Sequence, residues 1–254
     1  MFSATTDALS PRRPSRNSGE IRHGEAIADR ADEIWGWNLP TGPARLQRRT
    51  TLLIRNADIK PEKKILELGC GTGCLTKFLA KTGAEIVALD LSPDLLTKAG
   101  TKELPENVTL QIGNAESLDF PNETFDAVVG SSVLHHVDTD IALGEIYRVL
   151  RPRGKIAFSE PNMFNPHIFI QKNIPWVKKL SGDSPDETAF FRWQLIKMLQ
   201  RIGFDDIRVS PYDFLYPLTP KSLISPLGNL SKKLEQIPLL REIAGSLIIG
   251  AKKS

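Results

Sequence analysis

Residues 64 to 90 read KILELGCGTGCLTKFLAKTGAEIVALD, and no other stretch limits the fold as tightly. An apolar run (Ile65, Leu66, Leu68) with Glu67 embedded in it leads into glycines at alternate positions, Gly69, Gly71 and Gly73, with Cys70 between the first two. A helical segment to about residue 81 follows, then a second apolar run ending in Asp90. Strand, glycine turn, helix, strand and terminal acid is the order in which an open α/β sheet holds an adenosine-containing ligand. Glycine lets a polar ligand group approach the backbone, and the following helix offers free N–H groups at its start. An acid at the end of the second strand can accept hydrogen bonds from both ribose hydroxyls. Asp90 lies twenty-one positions beyond Gly69, close to the spacing such sites use.

The glycine spacing separates two ligand classes. A dinucleotide fingerprint places its third glycine five positions after the first. That position is Cys74 here, and the third glycine stands one step earlier, at Gly73. The run is therefore E-x-G-x-G-x-G, beginning at Glu67. A pyrophosphate needs the helix start kept open, whereas a sulfonium carrying an amino-acid tail is cationic and suits a nearby acid.

Beyond this stretch, strands are predicted over 108–112, 125–130, 155–158, 206–210 and 246–251. Helices are predicted from Ser92-Pro93 onward, over 138–150 and over 188–201. The alternation implies an α/β fold, a doubly wound, mostly parallel sheet. The chain has 254 residues, 41% of them hydrophobic, enough for one sizeable core spanning 21–254. The formal charge of +3 comes with no long Lys or Arg block, so no nucleic-acid partner is expected. Cys70 and Cys74 are too few and too close for a disulfide framework, which points to a reducing, cytoplasmic compartment. No apolar run of about 18 residues predicts a transmembrane helix. No metal-ligand cluster is evident, and metal independence is expected.

Residues 1–20 read as a disordered leader. Segments 25–37, with Trp35 and Trp37, and 44–57 read as helices, either a brace on the sheet or a lid over the ligand. Residues 160–187 read as irregular and rich in aromatics. Residues 211–243 hold five prolines and two short amphipathic pieces, at 222–230 and 231–237. Both are expected to cap the acceptor pocket. Leu223, Leu227, Leu230 and Leu234 at helical spacing favour a folded cap. Phe164, Phe169, Trp176, Phe190, Phe191 and Trp193 are read as core and cap packing.

Residues 64–160 resemble the class I S-adenosylmethionine-dependent methyltransferases, notably the small-molecule branch that includes the ubiquinone and menaquinone methyltransferases. The resemblance is carried by ILELGCGTG at 65–73, ALDLSPDLL at 88–96, GNAESLDFPNETFDAVV at 113–129, SVLHHV at 132–137 and EIYRVLRPRGKI at 145–156. It implies a seven-stranded Rossmann-like sheet of order 3-2-1-4-5-7-6 with strand 7 antiparallel. The donor, S-adenosyl-L-methionine, would lie across the carboxyl ends of strands 1, 2 and 4. Carried over by position, Glu67, Gly69, Gly71 and Gly73, with Cys70 among them, would surround the methionine part. Asp90 would hold the ribose, with Leu91 beside the adenine, and Asn114, Ala115 and Glu116 would meet the adenine edge. The family more often has Asp where Asn114 stands; Asn can still accept and donate. Ser131 would lie near the methionine end.

Positioning supplies much of the acceleration of an in-line methyl transfer, and a base helps when the nucleophile is a hydroxyl. Candidate bases are His135, His136 and Glu160; His167, Tyr212 and Tyr216 lie in the expected cap. The expected acceptor is a small hydrophobic or amphipathic molecule, methylated at oxygen. Transfer to nitrogen or carbon stays open, although GSSV at 130–133 replaces the N-P-P-Y-like motif of nucleobase and protein-amide enzymes. Readings of a different class are an NAD-dependent oxidoreductase, opposed by Cys74, and a non-catalytic donor-binding partner protein, opposed by the intact glycine run. A homodimer is left open.

Overall fold

The computed structural model describes residues 16–181 and 187–254. Seven strands form one sheet: β1 (Lys64–Leu68), β2 (Glu85–Asp90), β3 (Val108–Ile112), β4 (Phe125–Ser131), β5 (Leu150–Pro161), β6 (Phe204–Tyr212) and β7 (Ser246–Lys253). Their order is β3-β2-β1-β4-β5-β7-β6, as the resemblance implied. All neighbours run parallel except β7, which is antiparallel to both β5 and β6.

The central strands are nearly continuous apolar runs because helices cover both faces. Alternation then sends neighbouring side chains into different cores. Leu66, Leu68, Val128, Ile156 and Phe158 join one core with the helices α6 (Thr139–Val149) and α9 (Arg192–Ile202). Ile65, Ile86, Ala127, Val129 and Ala157 join the other with α3 (Gly42–Ala57) and α4 (Cys74–Leu79). Helix starts follow local chemistry. The Ser92 hydroxyl accepts the Leu95 N–H at the head of α5 (Pro93–Gly100), and Asp138 accepts the Ile141 N–H at the head of α6.

Helix α1 (Arg16–Ile27) begins inside the expected leader, whose residues 1–15 lie outside the described residues. The expected 25–37 helix is instead the end of α1, a turn, and the one-turn α2 (Ala31–Ile34). Of the stretch 160–187, expected to be irregular, residues 182–186 lie outside the described residues, and the part before them is largely helical. It holds α7 (Pro166–Asn173), started by Asn165 accepting the Ile168 N–H, and α8 (Pro175–Leu180). The two expected pieces at 222–230 and 231–237 are mostly one helix, α10 (Lys221–Leu234), with Pro226 inside it, followed by the short α11 (Pro238–Arg241). Pro226 removes one intrahelical bond, but Ser231 and Glu235 anchor the segment through Arg48, Asp213 and Phe214. The aromatic stripe is also corrected: Phe190 is buried, whereas Phe164, Phe169, Trp176 and Trp193 are exposed.

β6 runs parallel to β5, since both pair antiparallel with β7. The segments leaving β5 and β6 therefore emerge at the carboxyl edge of the sheet, the edge from which the glycine turn also leaves β1.

Candidate active site

The glycine turn folds back over the end of β1. Gly69 and Gly71 both take positive φ, +64° and +54°. A Cβ on Gly71 would lie 2.9 Å from the Trp35 ring, so only glycine admits both the backbone conformation and that ring. Asp90 closes the turn: one carboxylate oxygen accepts the Gly71 N–H at 2.7 Å and the other the Ser92 N–H at 2.9 Å. Burial raises the Asp90 pKa, opposed by these backbone donors. The Asp90 carboxylate lines the cavity.

Glu67 is fully buried beneath this turn and does not line the cavity. Both of its oxygens lack a hydrogen-bond partner, and the Thr76 hydroxyl faces it without a well-formed bond. Burial pushes its pKa up to about 8, and the nearby Asp90 adds to the rise. Burial likewise pushes the Cys70 thiol up. Gly73 heads α4 against Ala99 and is also off the cavity wall.

The N-terminal segment docks on the same turn. Lys102 Nζ donates to Asp32 at 2.7 Å and to Thr72 Oγ1 at 3.1 Å, and lies 2.8 Å from Cys74 Sγ; Thr72 Oγ1 also donates to Asp32. Trp35 covers Gly71, and Asn17, Glu20, His23 and Gly24 of α1 line the cavity.

Gly69, Cys70, Gly71, Asp90, Leu91, Asn114, Ala115 and Ser131 share one cavity wall, as the sequence reading grouped them. Glu116 does not. Asn114 Oδ1 accepts the Glu116 N–H, and the Glu116 carboxylate turns away to accept the Asp138 N–H at 2.7 Å.

At the end of β4 a group appears that sequence reasoning missed. Arg49 of α3 is buried; its Nη1 donates to Ser131 Oγ at 2.9 Å and its Nε to the Tyr212 hydroxyl at 3.3 Å. Tyr212 in turn shares a 2.6 Å hydrogen bond with Ser159. Among the described residues no carboxylate pairs with Arg49, which also lies over the Trp37 ring. A guanidinium bound only to hydroxyls on a cavity wall is suited to an anionic ligand group. The signal was its place between Leu46 and Leu53 on the buried stripe of α3.

The turn after β4 carries the histidines. Ser132 takes a positive φ of +56°, and its N–H bonds to the Ser159 carbonyl. Glu160 is buried off the cavity wall. Its Oε1 accepts the Val133 and Leu134 N–H groups at 3.0 Å each, and its Oε2 lies 2.6 Å from His135 Nδ1. Glu160 is thus not presented to an acceptor, which corrects its candidacy as a base. His135 is buried too, with its Nε2 3.3 Å from Glu187, and Lys172 pairs with Glu187. Burial disfavours the His135 cation, but the two carboxylates outweigh it and the pKa is pushed up to about 9. Burial works on Glu187 in the opposite sense, yet His135, His136 and Lys172 hold its carboxyl below the ordinary range. With both nitrogens committed, His135 is not free to take a proton. The His136 ring lies 4.3 Å from that of His135 at a tilt of 37°, lines the cavity, and places Nδ1 3.0 Å from Glu20 Oε2, not aligned as a hydrogen bond. Ligand atoms of His135, His136 and Glu187 fall within 4.8 Å of one another, a grouping the sequence did not reveal. Lys172 and His135 already supply positive charge to Glu187 there.

These walls enclose a cavity of about 540 Å³. On the side of the two inserted segments it is lined by His167, Ile168, Phe214, Leu215, Tyr216 and Pro217. Sheet order, glycine turn and Asp90 together define a nucleoside-binding Rossmann-like site of the methyltransferase type.

Comparison with known proteins agrees. Residues 66–158 match the methyltransferase domain family. The chain is 39% identical over 160 residues to a demethylmenaquinone methyltransferase of Streptomyces avermitilis, covering 60% of this chain and 68% of that protein. It is 30% identical over 172 residues to an uncharacterised methyltransferase-like protein of Schizosaccharomyces pombe, covering 66% of this chain and 64% of that one. Among solved structures, phosphoethanolamine N-methyltransferase 2 of Haemonchus contortus, in complex with phosphomonomethylethanolamine and S-adenosylhomocysteine, superposes with a TM-score of 0.66 at 18% identity, covering 96% of this chain and 61% of that chain. The chain belongs to the class I S-adenosylmethionine-dependent methyltransferases, and its cofactor is S-adenosylmethionine. The side-chain-free cradle at Gly71 and the Asp90 carboxylate and Arg49 guanidinium on the same cavity wall fit that molecule.

Proposed function

We propose that the protein transfers a methyl group to an oxygen of a small hydrophobic or amphipathic acceptor, working in the cytoplasm and without a metal ion. The observation that carries this reading is one continuous wall on which Asp90, Arg49 and His136 meet apolar side chains of the two inserted segments. S-adenosylmethionine, when bound, supplies an electrophilic methyl carbon on its sulfonium.

The chain's residues then divide the work. Asp90 accepts the ribose hydroxyls, Leu91 and Ala115 flank the adenine, and Asn114 meets its edge. Arg49, held by Ser131 and Tyr212, receives the donor carboxylate. Glu67 supports the glycine turn from beneath. His136 takes the acceptor's hydroxyl proton, and Glu20 faces the imidazolium that results. Glu160, His135 and Glu187 act as positioning residues that fix the turn on which His136 stands. The first two helices act as the lid. The name of the S. avermitilis relative supports an acceptor of quinone-like size. A second reading, transfer to nitrogen, draws on the name of the H. contortus neighbour.

The test is a transfer assay with methyl-labelled S-adenosylmethionine against hydroxylated, amino and carbon-nucleophile aromatic acceptors. Label in a hydroxylated acceptor, with turnover reduced about 10²-fold or more in His136→Ala, is expected. Label only in amino or carbon acceptors, or full turnover in the variant, would overturn the assignment to oxygen or to His136.

A further inference from the structure

The helix α10 is oriented against the usual rule. A helix on a globular protein turns its apolar stripe inward. Here the buried residue is Ser231, whose hydroxyl accepts the Phe214 N–H and contacts Arg48 and Glu235. Leu223, Leu227 and Leu230 face out, 46%, 38% and 47% exposed. The other helices of the inserted segments also expose apolar side chains. Phe169 and Ile170 of α7 are exposed, as are Trp176 (68%) and Leu180 (80%) of α8 and Leu239 (86%) of α11. The pieces adjoin: Asn165 at the head of α7 donates to the Ile243 carbonyl just beyond α11, and the His167 ring meets Tyr216 edge-on. Single exposed apolar residues need no explanation, but this many on the helices of two inserted segments that touch one another mark an interaction surface.

Its charge says what covers it. The helices α7, α8, α10 and α11 contain no Asp or Glu. Their exposed ionic groups are Lys179, Lys221, Lys232 and Lys233, which stand at the ends of the apolar stripes. Outward Trp and Leu with lysines at the rim is the composition of a segment lying in a membrane interface: rings and leucines enter the acyl boundary, and lysine stems extend to anionic headgroups. We propose that this face docks the protein on an anionic phospholipid surface, as a peripheral contact. No helix among the described residues is long and apolar enough to span a membrane.

Docking would also set the route of the acceptor. Ile168, Gln171 and Lys172 of α7 line the cavity, while Phe169 and Ile170 of the same helix face out, so one helix separates cavity from lipid. This step rests on the hydrophobic-acceptor reading above; the docking does not.

Co-sedimentation of the full chain with vesicles tests it. Vesicles of phosphatidylcholine mixed with phosphatidylglycerol should retain the protein, vesicles of phosphatidylcholine alone should not, and salt should weaken retention. The triple variant Trp176→Ser, Leu180→Ser, Leu239→Ser and the double variant Lys232→Glu, Lys233→Glu should each weaken retention about tenfold or more. Thermal unfolding by circular dichroism checks that both variants fold. Absence of retention on the phosphatidylglycerol-containing vesicles, or equal retention of folded variants, overturns the proposal. So does a wild-type dimer in light scattering that the triple variant abolishes, because a second copy would then cover the face. S-adenosylhomocysteine titration is read separately, so failure of the donor site and failure of docking are distinguishable.

Discussion

Arg49 Nη1 donates to Ser131 Oγ across 2.9 Å, tying a helix that precedes the sheet to the tip of its fourth strand. The bond holds a buried guanidinium on the cavity wall with hydroxyls as its only hydrogen-bond partners among the described residues. Replacing Arg49 with Met should weaken S-adenosylhomocysteine binding by about 1.5–3 kcal/mol, the value of hydrogen bonds to a charged group. Lys should restore only part of it, because an ammonium cannot reach two hydroxyls and a carboxylate in one plane. Isothermal titration of the three proteins measures this; unchanged affinity in Arg49→Met would remove the residue from the donor site.

Asp90→Ala should cost about 1–3 kcal/mol of donor affinity. It should also lower stability by about 1–3 kcal/mol, since the Gly71 and Ser92 N–H groups both lose their acceptor. Asp90→Asn keeps one acceptor oxygen and should fall between. Titration beside urea unfolding separates the two effects, and a binding loss with no stability loss would show that the turn is held by other contacts.

Glu67 gives a pH signature. Its folded-state pKa of about 8 lies above the ordinary value of 4.5, so the native state retains a proton that the unfolded chain releases. Its contribution is fully present below about 4.5 and lost as pH rises through 8. Glu67→Gln should therefore stabilise the ligand-free protein at pH above 8 by about 1–3 kcal/mol and have little effect near pH 5. Urea unfolding at the two pH values is the measurement; equal effects at both would mean the carboxyl is ionised throughout.

Much of this was readable in advance, for a physical reason. β3, at the sheet edge, lies at 108–112 as expected; β4 begins at 125 as expected because a strand buried on both faces must be an apolar run bounded by turns, whereas β5 runs from 150 to 161, well beyond the expected 155–158. The glycine turn and Asp90 were legible because their chemistry is local. Arg49 was not, because it acts through Ser131 and Tyr212, which lie 82 and 163 positions away. Glu187 was missed for the same reason. The leucine spacing in α10 revealed that the helix has a stripe. It could not reveal which way the stripe faces, since that is decided by Ser231 bonding to Arg48 and Phe214.

His135 should make the fold sensitive to alkali. Burial opposes its charge, but Glu160 and Glu187 raise its pKa from 6.5 to about 9, so the contribution is complete below about 6.5 and lost as pH climbs through 9. His135→Gln should be destabilising by about 3–5 kcal/mol at pH 6, where a buried ion pair is broken. Its stability should then vary less with pH between 6.5 and 9 than that of the wild type. Parallel slopes in denaturant melts across this range would show that His135 is neutral in the native state.

The antiparallel β7, lodged between β5 and β6, has an architectural consequence. Pro161 pairs with Ser246, and Tyr212 pairs with Ser246 as well, so both inserted segments start and the second one ends along a single seam. The acceptor half of the molecule is in effect a cassette. It could be exchanged for that of a relative by splicing near 162, 191, 213 and 245, leaving every rung of the seven-stranded ladder, and the proposed donor residues including Arg49 with Ser131 and Tyr212, on the retained chassis.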